Sequence, residues 1–495
     1  MSRIIIQNGN LCELDLPLKF AQKLYNEFAI RHPNAFYLRT RQRGMQNWDG
    51  KIHYITKTGQ FKIGLLPKVY DMCIEMGIKP KVVDMRQPLP KVSKVVTKIG
   101  KYKLRPEQEK AVKAVINNTI GGKPFHIGVL DYTVNAGKTL IMSSLYLSYK
   151  KQLKTLLITN DSDWLNQARE EFKQYLPGED ITFVQGKVLN WSNFTIGMVQ
   201  SISRNMRFYQ KELSQIDMVL IDEADQGGSR QYQNVITRLF NTRIRIGLSG
   251  TIYMSKLAKD KVKNMNLECF FGKVLAEFKL RDSIKKGYST KTVVKMVPGK
   301  PWYGNWESDC ISYKEIYDDL ITNSYTAWLM AYSRLRWNIN QGRYPALVVC
   351  KHIAHCENLY KFFKKKLGDA YNIAYVHVNT KSKLRQQIMK DFRDGKIDIL
   401  VSTTIIARGK NFPKLRYLLN AASMDSQEKS IQFLGRLVRT DKSKKKVYLD
   451  DLHYPGNYLD RHGKHRKQYY QRQELKVILL DKLWKKHPNH SLIQS

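Results

Sequence analysis

The sequence predicts an α/β protein with two tandem doubly wound parallel-sheet domains, preceded by a small basic α+β domain and followed by a basic C-terminal tail. Three observations support this fold class. Short apolar runs recur along the chain, helical stretches separate them, and the alternation restarts after the aromatic segment at residues 301–306. Runs of this length are typical of strands that are buried on both faces. Their alternation with helical stretches is typical of βαβ units.

The apolar runs locate the expected elements. In the first series we expect helices at residues 138–150 and 163–175, and strands at 127–130, 155–159, 218–221 and 244–248. In the second series we expect strands at residues 346–350, 373–377, 397–402 and 447–449. At roughly 150 residues per domain, the boundaries that follow are 1–96, 97–290, 291–452 and 453–495.

The charge balance indicates a polyanionic partner. Lysine and arginine number 84 against 43 aspartates and glutamates, which leaves a formal net charge of +41. Solubility alone needs no such one-sided excess, and nucleic acid is the commonest polyanion that proteins bind. No apolar stretch approaches the ~20 residues that span a bilayer. With six cysteines and no Cys-x-x-Cys pair, we expect a reduced cytoplasmic protein without a membrane partner.

A candidate phosphate-binding loop follows the first predicted strand. Residues 133–139 read Thr-Val-Asn-Ala-Gly-Lys-Thr and connect that strand to a predicted helix, as such a loop requires. Lys138 would contact the β- and γ-phosphates of ATP, and the Thr139 hydroxyl would bind Mg²⁺. The strict eight-residue pattern has glycine in place of Tyr132, so a plain helix N-terminus is the alternative. The backbone amides that would hold the phosphates are those of Val134, Asn135, Ala136 and Gly137.

Two carboxylates support the interpretation of this loop as a nucleotide site. Asp222 and Glu223 directly follow the apolar run 218–221, and a carboxylate at the end of a buried strand is costly unless it has a ligand. Asp222 would hold Mg²⁺, and Glu223 would orient or deprotonate the attacking water. The segment Ser249-Gly250-Thr251 ends another predicted strand, and its hydroxyls would relay the state of the γ-phosphate.

Six blocks within residues 103–452 resemble, in order, those of the superfamily-two helicases and translocases. Residues 104–108 resemble their adenine-side entry motif, which implies that Arg105 and Gln108 contact ATP and that Gln108 reads the base. Residues 195–201 resemble the family segment that touches the nucleic-acid backbone, which implies that role for Gln200 and Ser201. The tetrad Asp-Glu-Ala-Asp does not indicate a DEAD-box RNA helicase, because the remaining blocks differ from that family.

The second α/β domain contains a candidate arginine-finger motif. Residues 432–439 resemble the family block Gln-x-x-Gly-Arg-x-x-Arg. The resemblance implies that Gln432 contacts the nucleotide and that Arg436 and Arg439 act on the γ-phosphate. The two arginines are three residues apart and share one face if the segment is helical.

Residues 399–411 resemble the fifth motif of the same family. The resemblance implies that Thr403 contacts nucleic acid and that Gly409 lies near the nucleotide. Asn411 stands where the family usually has an aspartate, which puts a charged role there in doubt. Taken together, the blocks imply two RecA-like lobes that face each other across a cleft holding ATP and Mg²⁺.

The N-terminal segment contains basic residues beside an aromatic residue, a combination that suits phosphate contact and stacking. We therefore expect nucleic-acid contacts from Arg41, Arg43, Trp48 and Lys51. Alternatively, Trp48 anchors a core and residues 49–50 form a hairpin turn. The pentapeptide Asn-Trp-Asp-Gly-Lys at residues 47–51 and the domain order resemble the phage recombination helicases of the UvsW type, which implies branched DNA as the substrate.

The C-terminal segment is rich in cations. Lys445 is the central residue of a lysine triplet, and further cations follow at Arg461, Lys464, Arg466 and Lys467. We expect sequence-independent phosphate contacts from this segment, and a solvated tail is the alternative.

The sequence therefore predicts an ATP-dependent DNA helicase or translocase that unwinds or remodels branched or duplex DNA without reading its bases. An RNA helicase or a duplex translocase with the same ATPase is the enzymatic alternative. A catalytically dead nucleic-acid clamp is the non-enzymatic alternative. The sequence does not indicate which protein partners it has.

Overall fold

The α/β fold class is confirmed by the computed structural model of the protein, which describes residues 2–42, 44–149, 152–188, 191–253, 258–299, 312–407 and 412–480. The chain forms two compact units, Met1–Phe278 and Lys279–Ser495. In the described residues, each unit contains one large sheet, and all the strands of that sheet are parallel. The helices of these residues include none that is long and apolar enough to cross a bilayer.

The first unit begins with a small α+β region built on a mixed sheet. Its elements are β1 (Arg3–Ile6), β2 (Leu11–Asp15), α1 (Leu18–Glu27), β3 (Ala29–Arg31), α2 (Ala35–Arg41), β4 (Lys51–His53), β5 (Gln60–Lys62), a 3₁₀ turn (Ile63–Leu65), α3 (Leu66–Glu75) and β6 (Lys81–Asp84). The sheet has the order β5-β2-β1-β6, in which β1 is antiparallel to β2 and parallel to β6. Strands β3 and β4 form a separate antiparallel pair.

The rest of the first unit surrounds a large parallel sheet with the order β13-β14-β12-β15-β16-β11-β17. Two short strand pairs precede it, β7 (Lys98–Ile99) with β8 (Tyr102–Lys103) and β9 (Thr119–Ile120) with β10 (Lys123–Pro124). The remaining elements are α4 (Pro106–Ile116), β11 (His126–Tyr132), α5 (Lys138–Ser148), β12 (Thr155–Thr159), α6 (Ser162–Tyr175), β13 (Ile181–Val184), β14 (Phe194–Met198), α7 (Val199–Arg204), α8 (Gln210–Ser214), β15 (Met218–Asp222), α9 (Arg230–Ile236), β16 (Ile244–Ser249), α10 (Ala258–Phe271) and β17 (Val274–Phe278).

The second unit surrounds a parallel sheet with the order β20-β21-β19-β22-β23-β18-β24. Its elements are α11 (Leu280–Lys285), β18 (Lys291–Pro298), α12 (Tyr313–Tyr317), a π-helical turn (Asp318–Thr322), α13 (Tyr325–Asn340), β19 (Ala346–Cys350), α14 (Ile353–Leu367), β20 (Ile373–Val376), α15 (Ser382–Asp394), β21 (Ile399–Thr403), β22 (Tyr417–Asn420), α16 (Gln427–Leu437), β23 (Lys446–His453), α17 (Asn457–Arg472) and β24 (Val477–Leu479).

The N-terminal region and the first large sheet share one hydrophobic core, to which Ile4 of β1 and Ile127 of β11 both belong. Arg245, fully buried in β16, donates to the Gly9 carbonyl at 2.6 Å and to Asn10 Oδ1 at 2.8 Å in the turn between β1 and β2. Burial lowers the pKa of Arg245 to about 9, so its guanidinium remains charged at neutral pH. The N-terminal region is therefore packed as a fixed part of the first unit.

Gly64 lies where the N-terminal region meets α10. A Cβ atom at this position would overlap the carbonyl oxygens of Glu268 and Cys269. Nearby, Tyr54 donates its hydroxyl to Asn266 Oδ1 at 2.9 Å, which joins the same two segments. Glycine is needed here because two backbones approach closely.

The described residues of the C-terminal segment are folded, since α17 follows β23 and β24 pairs with β18. Arg466 is 0% exposed and donates its Nε to Asp451 Oδ1 at 2.9 Å. Tyr470 donates its hydroxyl to Asp451 Oδ2 at 2.7 Å. The expected phosphate contact from Arg466 is therefore wrong, because a buried carboxylate binds its guanidinium.

Gly64→Ala should destabilise the first unit by about 1–3 kcal/mol, because the added methyl group forces two packed segments apart. Gly228→Ala is the matched control, since the nearest atom to its Cβ would be Leu267 Cδ2 at 3.8 Å. Urea unfolding followed by circular dichroism measures both variants. Equal unfolding midpoints for the two variants would contradict this account of the junction.

Arg466→Met should destabilise the second unit by about 3–5 kcal/mol, because Asp451 would remain as an uncompensated buried charge. Lys464→Met on the same helix is the control. Its ion pair with Asp460 lies at the surface, so its loss should cost less than about 1 kcal/mol. Thermal unfolding distinguishes the two, and a Tm for Arg466→Met as high as that of the control would refute the assignment.

Candidate active site

Three adjacent strands of the first sheet end in motif residues at one edge. Strands β15, β16 and β11 are neighbours and parallel, so their carboxyl ends lie together. The phosphate loop follows β11, the tetrad 222–225 begins at the end of β15, and the segment 249–251 begins at the end of β16. Ligands of open α/β sheets bind at this edge. The fold therefore brings together three motifs that are far apart in sequence.

The phosphate loop presents unpaired backbone amides. Asn135 and Gly137 have φ angles of 62° and 71°, both in the left-handed region. Within the described part of the chain, the amides of Ala136, Gly137, Lys138 and Thr139 have no hydrogen-bond acceptor. A turn with successive free amides at a helix N-terminus is an anion-binding site.

Tyr132, which replaces the glycine of the strict phosphate-loop pattern, has a structural role. It is the last residue of β11, its ring is buried, and its hydroxyl donates to the Glu107 carbonyl at 2.7 Å. The side chain thus ties the end of β11 to the start of α4. A sequence pattern that tests only for glycine cannot reveal this structural role of the tyrosine.

Gln108 braces the phosphate loop through both ends of its amide. Its Oε1 accepts from the Arg105 amide at 2.8 Å, and its Nε2 donates to the Ala136 carbonyl at 2.8 Å. The side chain is 1% exposed, and a Cβ on Gly137 would overlap its Nε2. Arg105 also donates from Nη1 to the Asn135 carbonyl at 3.3 Å. Reading of the adenine by Gln108 stays a prediction, whereas support of the loop is observed.

Asp222 is a buried carboxylate at the end of β15, with 7% exposure. Burial raises the pKa of Asp222, and the charge of Lys138 opposes this shift. The neighbouring carboxylates of Asp225 and Asp161 raise the pKa further. A divalent cation would act on Asp222 in the same direction as Lys138, because an opposite charge favours the ionised carboxylate.

Glu223 has an unusual backbone conformation for a residue other than glycine. Its φ is 53° and its ψ is 51°, which costs roughly 1 kcal/mol or more relative to ordinary backbone. A 3₁₀ turn, Ala224–Gln226, follows directly. Strain of this kind is frequent at functional sites, so Glu223 is held in a conformation that its own preference does not explain.

A buried hydrogen-bond chain links the tetrad to the segment 249–251. Ser249 donates its hydroxyl to Asp225 Oδ1 at 2.7 Å and lies 3.1 Å from Thr251 Oγ1. Gly250 is close to the phosphate loop, since a Cβ there would be 3.0 Å from Thr133 Cα. The segment 249–251 therefore contacts the tetrad and lies against the phosphate loop.

The residues at this edge fit a nucleotide with Mg²⁺. The Thr133 hydroxyl is 1% exposed and has no hydrogen-bond partner among the described residues. A buried polar side-chain atom without a partner is rare in folded proteins, and Thr133 belongs to the same loop as the unpaired amides. Asp222 and Thr139 supply oxygen ligands of the kind that Mg²⁺ prefers. The phosphates of ATP would bind the unpaired polar groups of the loop, and Mg²⁺ would bind the two oxygen ligands.

The arginine motif of the second unit spans the end of α16. Gln432 donates from Nε2 to Glu428 Oε1 at 3.3 Å. The helix ends at Leu437, so Arg436 lies in its last turn and Arg439 lies beyond it. The condition under which both arginines would share one helical face is therefore not met, because the helix stops between them.

Lys444 holds the segment that contains these arginines. Its Nζ donates to the Leu437 carbonyl at 3.0 Å, at the end of α16, and burial lowers the pKa of Lys444 to about 8. Thr290 donates its hydroxyl to the Arg439 carbonyl at 3.1 Å. The sequence predicted phosphate contacts or a solvated tail for the lysine triplet, and both are wrong for Lys444, because it is buried. Its neighbour Lys445 is exposed, and its phosphate contact stays a prediction.

The fifth motif begins at the carboxyl end of β21. Thr403 is the last residue of this strand and is buried. Lys429 of α16 lies close to the following residue, with Nζ 3.4 Å from Thr404 Oγ1. Gly409 and Asn411 lie outside the described residues, so their predicted positions stay predictions.

The predicted backbone-contact residues Gln200 and Ser201 lie in α7, which begins at the carboxyl end of β14. Gln200 donates from Nε2 to the Asn160 carbonyl at 3.3 Å, and Ser201 Oγ accepts from the Gly186 amide at 2.9 Å. Gln200 Oε1 and Asn160 Oδ1 are buried without a partner in the described residues. These acceptors identify Asn160, which the sequence reasoning missed, as a further candidate contact.

The N-terminal candidates lie around α2 and β4. Arg41 is exposed, and its guanidinium lies 4.9 Å from the centre of the Tyr37 ring. Trp48 is half-buried and donates from Nε1 to the carbonyl of the exposed Lys51 at 2.9 Å. Arg43 lies outside the described residues. Because α2 separates β3 from β4, residues 49–50 do not form a two-residue hairpin turn, and Trp48 is not part of the hydrophobic core of this unit.

Two protein-family models match this chain. Residues 101–254 match the family described as type III restriction enzyme, res subunit, and residues 331–441 match the helicase conserved C-terminal domain. The first match contains the phosphate loop, the tetrad and the segment 249–251, and the second contains Thr403 and both arginines. The chain is a member of the superfamily-two helicases.

The helicase resembles curated proteins along most of its length. It is 21% identical over 477 residues to the ATP-dependent DNA helicase uvsW of Enterobacteria phage T4, which covers 88% of this chain and 90% of that protein. It is 24% identical over 377 residues to the putative ATP-dependent helicase IRC3 of Saccharomyces cerevisiae, which covers 70% of this chain and 51% of that protein. The chain thus spans about half the length of the yeast relative.

A solved structure shows the same fold. The fragment of a putative HsdR subunit of a type I restriction enzyme from Vibrio vulnificus YJ016 matches with a TM-score of 0.57 and 14% identity. The match covers 87% of the helicase and 77% of the fragment.

Gln108→Ala should raise the KM for ATP about 5- to 100-fold, because the loop would lose two hydrogen bonds and leave the Ala136 carbonyl unpaired. If Gln108 only braces the loop, hydrolysis of ATP and of GTP should be impaired equally. If it also reads the adenine, the preference for ATP over GTP should fall as well. Steady-state hydrolysis of both nucleotides measures this, and an unchanged KM for both would contradict both roles.

Proposed function

We propose that this helicase couples ATP hydrolysis to movement along nucleic acid, with branched DNA as its substrate. The observation that carries the proposal is the phosphate loop with its free amides, one strand away from the segment 249–251 and two strands away from Asp222 and Glu223. Free amides bind phosphate, and carboxylates at such a site bind the cation and activate the attacking water.

In the proposed mechanism, each group acts at a stated atom. The loop amides and the Lys138 ammonium hold the phosphate oxygens, while Asp222 and the Thr139 hydroxyl hold the cation. The Glu223 carboxylate accepts a proton from the attacking water or orients that water. When bound, Mg²⁺ neutralises charge on the phosphates.

The arginines complete the proposed chemistry. Arg436 and Arg439 would stabilise negative charge that develops on the γ-phosphate oxygens, as arginine fingers do in phosphoryl transfer. Lys444 and Thr290 would position this segment through the carbonyls at its ends. The chain from Asp225 through Ser249 to Thr251 would transmit the loss of the γ-phosphate to the rest of the first unit.

DNA as the substrate is supported by the relative that matches nearly end to end, which is named a DNA helicase. The net charge of +41 favours contacts with the phosphate backbone. Exposed cations of the N-terminal region, Arg39 and Lys51, line a cavity of about 470 Å³, and we propose that this region contacts the DNA backbone near a junction.

An RNA helicase is the second candidate, because another relative is named the ATP-dependent RNA helicase CHR1 of Candida albicans, at 23% identity over 231 residues. That match covers 46% of this chain, about half of the 88% that the match to the phage T4 DNA helicase covers.

ATP hydrolysis should be stimulated more by forked or four-way DNA than by linear duplex, single-stranded DNA or RNA. A steady-state ATPase assay with this panel at one salt concentration measures the order, since backbone contacts are salt-dependent. Stronger stimulation by RNA than by any DNA would overturn the branched-DNA assignment. The absence of stimulation by every nucleic acid would favour a catalytically dead clamp.

Arg436→Ala should lower kcat for nucleic-acid-stimulated hydrolysis by about 10³- to 10⁵-fold, with a much smaller effect on nucleotide affinity. The physical reason is that the guanidinium acts mainly on charge that develops in the transition state. Lys365→Ala, which removes an exposed cation of α14, should leave kcat unchanged. A kcat for Arg436→Ala within about threefold of the control would contradict the finger role.

A further inference from the structure

A cluster of cations and aromatic rings lies on one face of the second sheet, outside the motor motifs. Strands β18 and β23 pair in register, with Lys295 beside Asp450. Because alternate residues share a face, Lys446, Tyr448 and Asp450 of β23 lie on the same face as Lys295. Helix α13 packs against this face.

The cations of this cluster stack on its rings. The Arg343 guanidinium lies 3.6 Å from the centre of the Tyr448 ring and 4.6 Å from the centre of the Trp337 ring. The Nζ atoms of Lys295 and Lys446 lie 4.8 Å and 5.7 Å from the Trp337 and Tyr448 ring centres. Trp337 is nevertheless 43% exposed. We call Lys295, Trp337, Arg343, Lys446 and Tyr448 the cation–aromatic patch.

The cation–aromatic patch carries excess positive charge. Its three cations form no ion pair with any residue that the structure describes. The nearby Asp450 is 1% exposed and already accepts hydrogen bonds from Arg334 and Tyr417. Burial lowers the pKa of Lys295; Asp450 opposes this, and the neighbouring cations, including Arg343, lower it further. A polyanion at the patch would relieve this repulsion.

Structural packing explains only part of this arrangement. Stacking of Arg343 between two rings stabilises the end of α13 and needs no ligand. It does not explain why two lysines gather at the same rings without forming an ion pair among the described residues, since like charges repel. Nor does it explain why Trp337, whose ring contacts the three cations Lys295, Arg334 and Arg343, stays almost half exposed.

The patch lies away from the edge of the second sheet at which the helicase motifs lie. Lys446 is the first residue of β23, and Arg343 precedes the first residue of β19, Ala346. Both therefore lie toward the amino ends of the strands. Thr403 and the helix with Arg436 follow the carboxyl ends of β21 and β22.

We propose that the cation–aromatic patch is a second binding site for single-stranded nucleic acid. Its cations bind phosphates, and the exposed ring of Trp337 stacks on a base. Single strands fit because only unpaired bases offer their faces to an exposed ring. The inference rests on the proposed function, since a strand separated by the motor needs a surface that holds it.

The double variant Lys295→Gln/Lys446→Gln tests whether the lysines of the patch bind phosphates. Each phosphate contact adds about 0.7 to the slope of log affinity against log salt for a single strand, so the slope should fall by about 1.4. The control Lys365→Gln/Lys366→Gln on α14 removes the same charge from exposed positions and should leave the slope unchanged. Fluorescence anisotropy with oligothymidylate and oligouridylate measures both and distinguishes DNA from RNA.

Trp337→Ala tests whether the exposed ring of Trp337 stacks on a base. Loss of one stacked base should weaken single-strand binding about 5- to 100-fold and leave binding to blunt duplex unchanged. Trp337→Phe should restore most of the affinity, because it keeps an aromatic face. Equal losses for single strand and duplex, or no loss for either, would overturn the stacking role.

The outcomes separate this inference from the proposed function. Stimulated ATP hydrolysis with an unchanged salt slope in the double lysine variant would refute the patch alone. A lower Tm with an unchanged slope would show that the patch is only structural packing, which also refutes it. A wild-type chain whose hydrolysis no nucleic acid stimulates would refute the proposed function instead.

Discussion

The candidate active site depends on one constraint, the parallel alignment of β15, β16 and β11. Because these neighbours end at the same edge, the carboxylates after β15, the hydroxyls after β16 and the loop after β11 lie together. Small residues make the alignment compact, since Gly250 lies against the backbone at Thr133. The loop amides can remain unpaired because Gln108 of α4 braces the loop, and the Tyr132 side chain ties the end of β11 to α4.

Support from outside the motifs is a recurring feature of both units. In the first unit, Arg245 extends from the central sheet to the N-terminal turn, and Gly64 lets the two regions approach closely. In the second unit, Lys444 holds the end of the helix with Arg436, and Arg466 joins α17 to Asp451. These buried cations bind carbonyls or a carboxylate, so a part of the large positive charge stabilises the fold and only the remainder is available to nucleic acid.

The sequence predicted the central strands well because each is apolar on both faces and therefore forms a continuous run. It missed six strands of the two large sheets. Four of them, β13, β17, β18 and β24, contain half-buried or exposed residues and resemble loops. The other two, β14 and β22, are short buried strands that the sequence reasoning did not assign. The motifs identified Lys138, Asp222 and Glu223 because a strand end followed by charged residues is rare. The support from Gln108, Tyr132 and Lys444 depends on distant backbone carbonyls, which no local pattern encodes. For the same reason, Arg466 was read as solvent-exposed, although α17 buries it.

Nucleotide binding and hydrolysis by Glu223→Gln test the central claim most directly. This change keeps the shape of the side chain and removes its ability to accept a proton. We expect the variant to bind ATP with Mg²⁺ about as tightly as the unmodified chain, while its nucleic-acid-stimulated hydrolysis falls by at least about 100-fold. Hydrolysis at the unmodified rate, or loss of ATP binding itself, would contradict the assignment of this edge of the sheet as the site of catalysis.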